Sequence, residues 1–98
     1  LKSQSLRQEA LIERPQMIYF IDYANDPAAG LRLSIENWKI QQEPRDAVLF
    51  LKAALALNQP QAAQVVLTWL EKTNYADPQI RELRTRLKTQ LQSAQSAK

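Results

Sequence analysis

Residues 46–73 read Asp46-Ala47-Val48-Leu49-Phe50-Leu51-Lys52-Ala53-Ala54-Leu55-Ala56-Leu57, then Asn58-Gln59-Pro60, then Gln61-Ala62-Ala63-Gln64-Val65-Val66-Leu67-Thr68-Trp69-Leu70-Glu71-Lys72-Thr73. Two helix-forming arms flank a tight turn. The first arm is apolar almost all round, as a helix is when it is covered on more than one side. A lone hairpin cannot cover it. The rest of the chain must therefore supply neighbours on both flanks.

The prolines show how it does so. Pro15, Pro27, Pro44, Pro60 and Pro78 each follow a polar residue and precede helix-forming sequence. Proline suits the first helical position, where its missing N–H would be unpaired anyway. Five helix starts are expected there. Pro27 and Pro60 are 33 residues apart, and Pro44 and Pro78 are 34 apart. Local sequence agrees: Asn25-Asp26-Pro27-Ala28-Ala29-Gly30 matches Asn58-Gln59-Pro60-Gln61-Ala62-Ala63, and Glu43-Pro44 matches Asp77-Pro78. A helix pair recurring at this period is the signature of a helical solenoid. Pro15 to Pro44 spans only 29 residues, so the first unit is shorter or begins elsewhere.

Outward from the central hairpin, residues 15–24 carry Met17, Ile18, Tyr19, Phe20 and Ile21. A buried strand competes for so short an apolar run. Helix is preferred because an offset of 33 sets Ile18 against Leu51, Ile21 against Ala54 and Ala24 against Leu57. A helix over 27–42 places Leu31, Ile35 and Trp38 on one side, with Leu33 nearby. Helices at about 45–57 and 60–73 follow. The last helix, from Pro78, has a single stripe of Ile80, Leu83, Leu87, Leu91 and Ala94, as expected of a capping helix. The domain is assigned to residues 15–94. Residues 1–14, with Leu6, Ala10 and Leu11 at helical spacing, form a tail or the end of a preceding repeat, and 95–98 a frayed tail.

Composition narrows the function. The 98 residues suit one small domain, and 45% are apolar. One Gly and abundant Ala, Leu and Gln favour helix. The chain has no Cys and no His, which removes disulfides, Cys/His zinc sites and Cys- or His-based catalysis. No apolar run approaches the ~18 residues of a membrane span. A start at Leu1 reads as a piece of a longer protein, and no compartment is assigned. The net charge of +3 is uneven: residues 78–98 carry +4 and residues 1–77 carry −1. Basicity therefore belongs to the last helix.

The 33–34-residue period, the small residues Ala53, Ala54, Ala62, Ala63 and Gly30, and the prolines resemble the tetratricopeptide repeat. Asn58 stands where that family's turn carries Gly, and Asn tolerates the left-handed conformation at a helix end. The segment from Asn37 to Ala47 looks like a stretch near the C-terminus of certain uncharacterised bacterial tetratricopeptide proteins. The resemblance covers residues 15–91. It implies an all-α, right-handed α-α superhelix of about two hairpins plus a capping helix. It also implies a scaffold that holds proteins or peptides without chemistry of its own.

Ten acids are scattered, the serines have no His to activate them, and no Gly-rich phosphate loop exists. The expectation is a protein that is not an enzyme, takes no small-molecule substrate and uses no cofactor or metal. Trp38 and Trp69 suit either a binding hot spot or packing between repeats, and packing is preferred. The first helices of such a stack line its concave face. With Ala47, Phe50 and Ala54 turned inward, Arg45, Val48, Lys52 and Leu55 face the groove, joined by Arg81 and Lys88 with Arg84 at their flank. Cations around an apolar strip suit an acidic or C-terminal carboxylate peptide, and a solvated charged face is the competing reading. Arg86 is assigned to the side away from stripe and groove. A nucleic-acid-binding helical repeat is the less favoured alternative, since only the last helix could track phosphates. A structural role remains the alternative: Met17, Ile18, Tyr19 and Phe20 at the N-terminal end are placed to join another copy.

Overall fold

The computed structural model describes residues 14–96. Among these there is no strand. Helix α1 (Arg14–Ile18) continues as a π-helical turn (Tyr19–Tyr23). Then come α2 (Pro27–Trp38), α3 (Pro44–Ala56), a 3-10 turn (Pro60–Ala63), α4 (Gln64–Thr73) and α5 (Pro78–Ser96). The expected helix over 15–24 is present, with a turn the sequence did not announce. The expectations for Leu6, Ala10 and Leu11 fall outside the described residues.

Helix α3 is the centre of the packing: every other element touches it. Ala47, Phe50, Leu51, Ala53 and Ala54 are buried, which is why the stretch is apolar almost all round. The small residues allow close approach from two sides at once. Val66, Leu67 and Leu70 from α4 and Ile80, Leu83 and Leu87 from α5 complete the core. Trp38 is buried with its ring edge-on to Phe50 at 6.0 Å and to Trp69 at 5.3 Å. Both indoles thus pack between helices, and Trp69 stays partly exposed.

Helix ends follow from local chemistry. Asp26 and Asp77 stand just before a helix-opening proline, and each accepts an N–H three residues on: Ala29 to Asp26 Oδ1 at 3.2 Å, and Ile80 to Asp77 Oδ1 at 2.8 Å. At α3 the order is reversed, and the Glu43 N–H donates to Asp46 Oδ2 at 3.1 Å. Each arrangement satisfies backbone donors that a helix start would leave unpaired. Asn25, Asn58 and Asn74 all take left-handed conformations with φ of 52°, 56° and 56°. The sequence singled out Asn58 for this, and the same device ends two more helices. Helix α2 stops at Trp38, short of residue 42, because the Asn37 carbonyl accepts N–H groups from Ile40 and Gln41 at 2.9 Å and closes a turn. Helix α5 runs on to Ser96.

The π-turn has a countable origin. The Ala24 N–H donates to Tyr19 O, whereas the Leu57 N–H donates to Ala53 O. Likewise the Asp26 N–H donates to Phe20 O, and the Gln59 N–H to Ala54 O. Each pair of donors is 33 positions apart and each pair of acceptors 34. One extra residue has therefore been absorbed within the first helix as a wider turn. This corrects the alignment read from sequence. Met17, rather than Ile18, is fully buried as Leu51 is, and Ile18 is exposed. It also removes Met17 from the surface patch expected at this end.

Gly30 lies against the same turn. A Cβ there would sit 2.5 Å from Ile21 Cγ1, so Ile21 occupies the space that a side chain would fill. On α2 the inner positions also go to Ser34 and Asn37, while Ile35 is exposed, contrary to the stripe read from sequence. The two polar residues are tolerated because both find partners: Ser34 Oγ donates to Met17 Sδ at 3.6 Å, and Asn37 Nδ2 to Asp46 Oδ1 at 2.9 Å.

Candidate functional site

A groove runs between α1, α3 and the first half of α5. It has two hollows that share Gln79. The first, of about 340 Å³, has a floor of Pro15, Ile18, Val48 and Leu49 with Arg14 and Arg45 at its edge. The second, of about 430 Å³, is lined by Ile21, Leu55, Ala56 and Leu83 together with Asp22, Lys52, Glu82 and Arg86. Val48 and Leu55 are seven positions apart on α3, so the hollows lie ~10 Å apart along it at 1.5 Å per residue.

Four of the six residues picked from sequence meet here: Arg45 and Val48 in the first hollow, Lys52 and Leu55 in the second. Arg81 and Lys88 are not brought to them. Arg81 lines a separate depression with Asp77 and Thr85, and Lys88 is exposed elsewhere on α5. With the core stripe at Ile80, Leu83 and Leu87, the groove receives the flank of Gln79, Glu82 and Arg86. Arg81 and Lys88 point roughly the opposite way at 100° per residue. Arg86 thus belongs to the groove and not to the far side. Arg84 leans on α4, with Nη2 3.8 Å from Glu71 Oε2.

The charges of the two hollows differ. No acid lines the first. Arg14 is already committed: Nε and Nη2 donate to Asp46 Oδ1 and Oδ2 at 2.9 and 3.0 Å, and Nη2 also to Glu43 Oε1 at 2.8 Å. The hydrogen bond to Asp46 holds this guanidinium protonated more firmly than an ordinary arginine. Arg45 is exposed and has no ion-pair partner among the described residues. In the second hollow Lys52 Nζ sits 3.0 Å from Asp22 Oδ1, and Glu82 offsets Arg86.

Asp46 is the one buried acid among the described residues, and sequence reading passed over it. Its oxygens accept from Arg14, Asn37 Nδ2 and the Glu43 N–H, four bonds in all. A carboxylate so saturated is a structural tie between α1, α2 and α3. The signal was faint: Asp46 reads as an ordinary first-turn acid, and Arg14 lies 32 residues away. Ser34 is buried against Met17 and is not poised as a nucleophile. Among the described residues no three acids converge as a metal site, and no helix is long and apolar enough to cross a membrane.

The groove thus offers apolar surface beside charged side chains. A second surface lies at the outer edge of α1 and α2, where Tyr19, Phe20 and Leu33 border a hollow with Arg32. No protein-family model, curated protein or solved structure matches the chain.

Proposed function

We propose that this domain is a non-catalytic, tetratricopeptide-like binding module that holds a protein segment in the groove between α1, α3 and α5. The single observation that carries this is the first hollow: an open apolar floor of Ile18, Val48 and Leu49 beside an arginine, Arg45, with no partner among the described residues. An aliphatic side chain placed there gains burial at ~25 cal/mol per Å², and a neighbouring carboxylate meets Arg45. The repeat reading is supported by equivalent left-handed Asn25 and Asn58 at a spacing of 33 and by buried Gly30 and Ala63 at the same spacing. It is supported further by the acid–proline helix starts.

The test is selection of peptides from a random phage library, followed by titration of the synthesised peptides into protein with labelled methyl groups. Shifts should concentrate on Ile18, Val48, Leu49 and Leu55. Arg45→Glu should abolish them without lowering the melting temperature. Shifts confined to the Tyr19–Leu33 edge would overturn the assignment. That edge supports a second reading, self-association, because Tyr19 is large and exposed there, beside Phe20 and Leu33. Under it, sedimentation would show a concentration-dependent dimer that Tyr19→Ser dissolves.

A further inference from the structure

We propose that Asp22 is a specificity-determining residue: by holding Lys52 it confines carboxylate recognition to the Arg45 hollow, so that the groove reads one acidic residue and not an acidic run. This rests on the groove reading and goes beyond it. The observation behind it is the unequal state of the two cations that α3 offers. Both Arg45 and Lys52 face the groove, seven positions and ~10 Å apart. Arg45 has no ion-pair partner among the described residues. Lys52 lies 3.0 Å from Asp22 Oδ1 and 3.3 Å from Oδ2, so its ammonium spans both oxygens.

Asp22 reaches this position on the π-turn, the segment that holds the extra residue of the first helix. In effect the chain supplies its own carboxylate to Lys52. A bound segment in polyproline II form advances ~3.1 Å per residue and turns once every three residues, so the side chain three positions from the one at Arg45 returns to the same face and arrives near Lys52. If that side chain is acidic, it must displace Asp22 and then face both Asp22 and Glu82. If it is neutral, nothing is lost. The Asp22–Lys52 pair is about one-third exposed, so its effect on binding is modest, a factor of about three to five.

The probes are three synthetic nonapeptides of Ser and Gly. One carries a single Leu-Glu step, and two carry a second Glu three residues before or after the first. Each is titrated into methyl-labelled protein, with shifts at Val48 and Leu55 reporting the two hollows. The wild type should bind all three within about twofold. Asp22→Asn should bind one of the doubly acidic peptides about three- to fivefold more tightly than it binds the single-Glu peptide. Adding Lys52→Gln to that variant should erase the gain, and Arg45→Gln should weaken all three. A wild type that already prefers two acids, or an Asp22→Asn variant that gains nothing, overturns the proposal. If none of the nonapeptides moves a groove methyl, the proposal falls too. The groove reading falls with it only if library-selected peptides also fail to shift those methyls.

Discussion

Replacing Arg14 by Met tests whether the buried Asp46 network ties the first helix to the core. Methionine keeps the length of the side chain and removes its donors. Asp46 then loses two of its four hydrogen bonds and its only cationic partner among the described residues, while Asn37 Nδ2 and the Glu43 N–H remain. Breaking a fully buried ion pair costs ~3–5 kcal/mol. Here the side chain of Asp46 is 1% exposed and that of Arg14 is 22% exposed, so water can reach one partner and the figure must be reduced. About 2–3 kcal/mol is expected. The second contact of Arg14, to the half-exposed Glu43, adds little. Against a total of ~5–15 kcal/mol this is a large loss, and urea denaturation would show it as a midpoint lowered by ~1–2 M. A double-mutant cycle with Asp46→Asn isolates the pair from the effects of each side chain alone. A loss under ~0.5 kcal/mol for Arg14→Met, or a coupling near zero, would refute the reasoning and make the network incidental.

Ala54→Trp should cost ~3 kcal/mol or more, since Ala54 is fully buried on the most enclosed helix; an unchanged melting temperature would contradict that packing. Gly30→Ala should lower stability by ~1 kcal/mol despite the better helix propensity of Ala, because the new methyl meets Ile21 Cγ1. In an Ile21→Ala background the same change should become stabilising by ~0.5–1 kcal/mol, measured by thermal melting. Arg86→Ala, an exposed change, should alter stability by under ~0.5 kcal/mol, and any effect should appear in peptide binding. The Tyr75 phenol donates to Asp77 Oδ2 at 3.1 Å, which raises its pKa above the usual 10. An acid whose folded pKa is raised favours the fold below its unfolded pKa and loses that contribution as the phenol ionises. Absorbance titration should show one tyrosine ionising late, and Asp77→Asn should bring it back toward its ordinary value.

The sequence by itself determined where helices begin and where several of them end. Those choices are local: a proline has no N–H to lose at a helix start, a neighbouring acid satisfies the exposed donors, and Asn accepts a left-handed backbone where a helix must stop. It also marked the most enclosed helix, because a segment covered on several sides cannot carry polar residues on all of them. Along α5 the stripe of Ile80, Leu83 and Leu87 fixed which side faces the core. The two flanks of that stripe, Gln79-Glu82-Arg86 and Arg81-Lys88, are equally polar, so nothing in the sequence says which one turns toward α1. That depends on the direction in which α5 crosses α3, and only the tertiary structure decided it.

The same holds for the groove's charges and for the buried network. Ser34 and Asn37 look like surface residues, and Ile35 like a core residue, until Met17 and Asp46 are brought against them across 17 and 9 positions of chain. Asp22 and Lys52 are 30 positions apart, and their pairing depends on one extra residue being wound into a π-turn. A helix rotates by 100° per residue, so a single inserted position redirects every side chain beyond it. Periodicity finds the helices, but it cannot place a contact between two of them to better than that rotation.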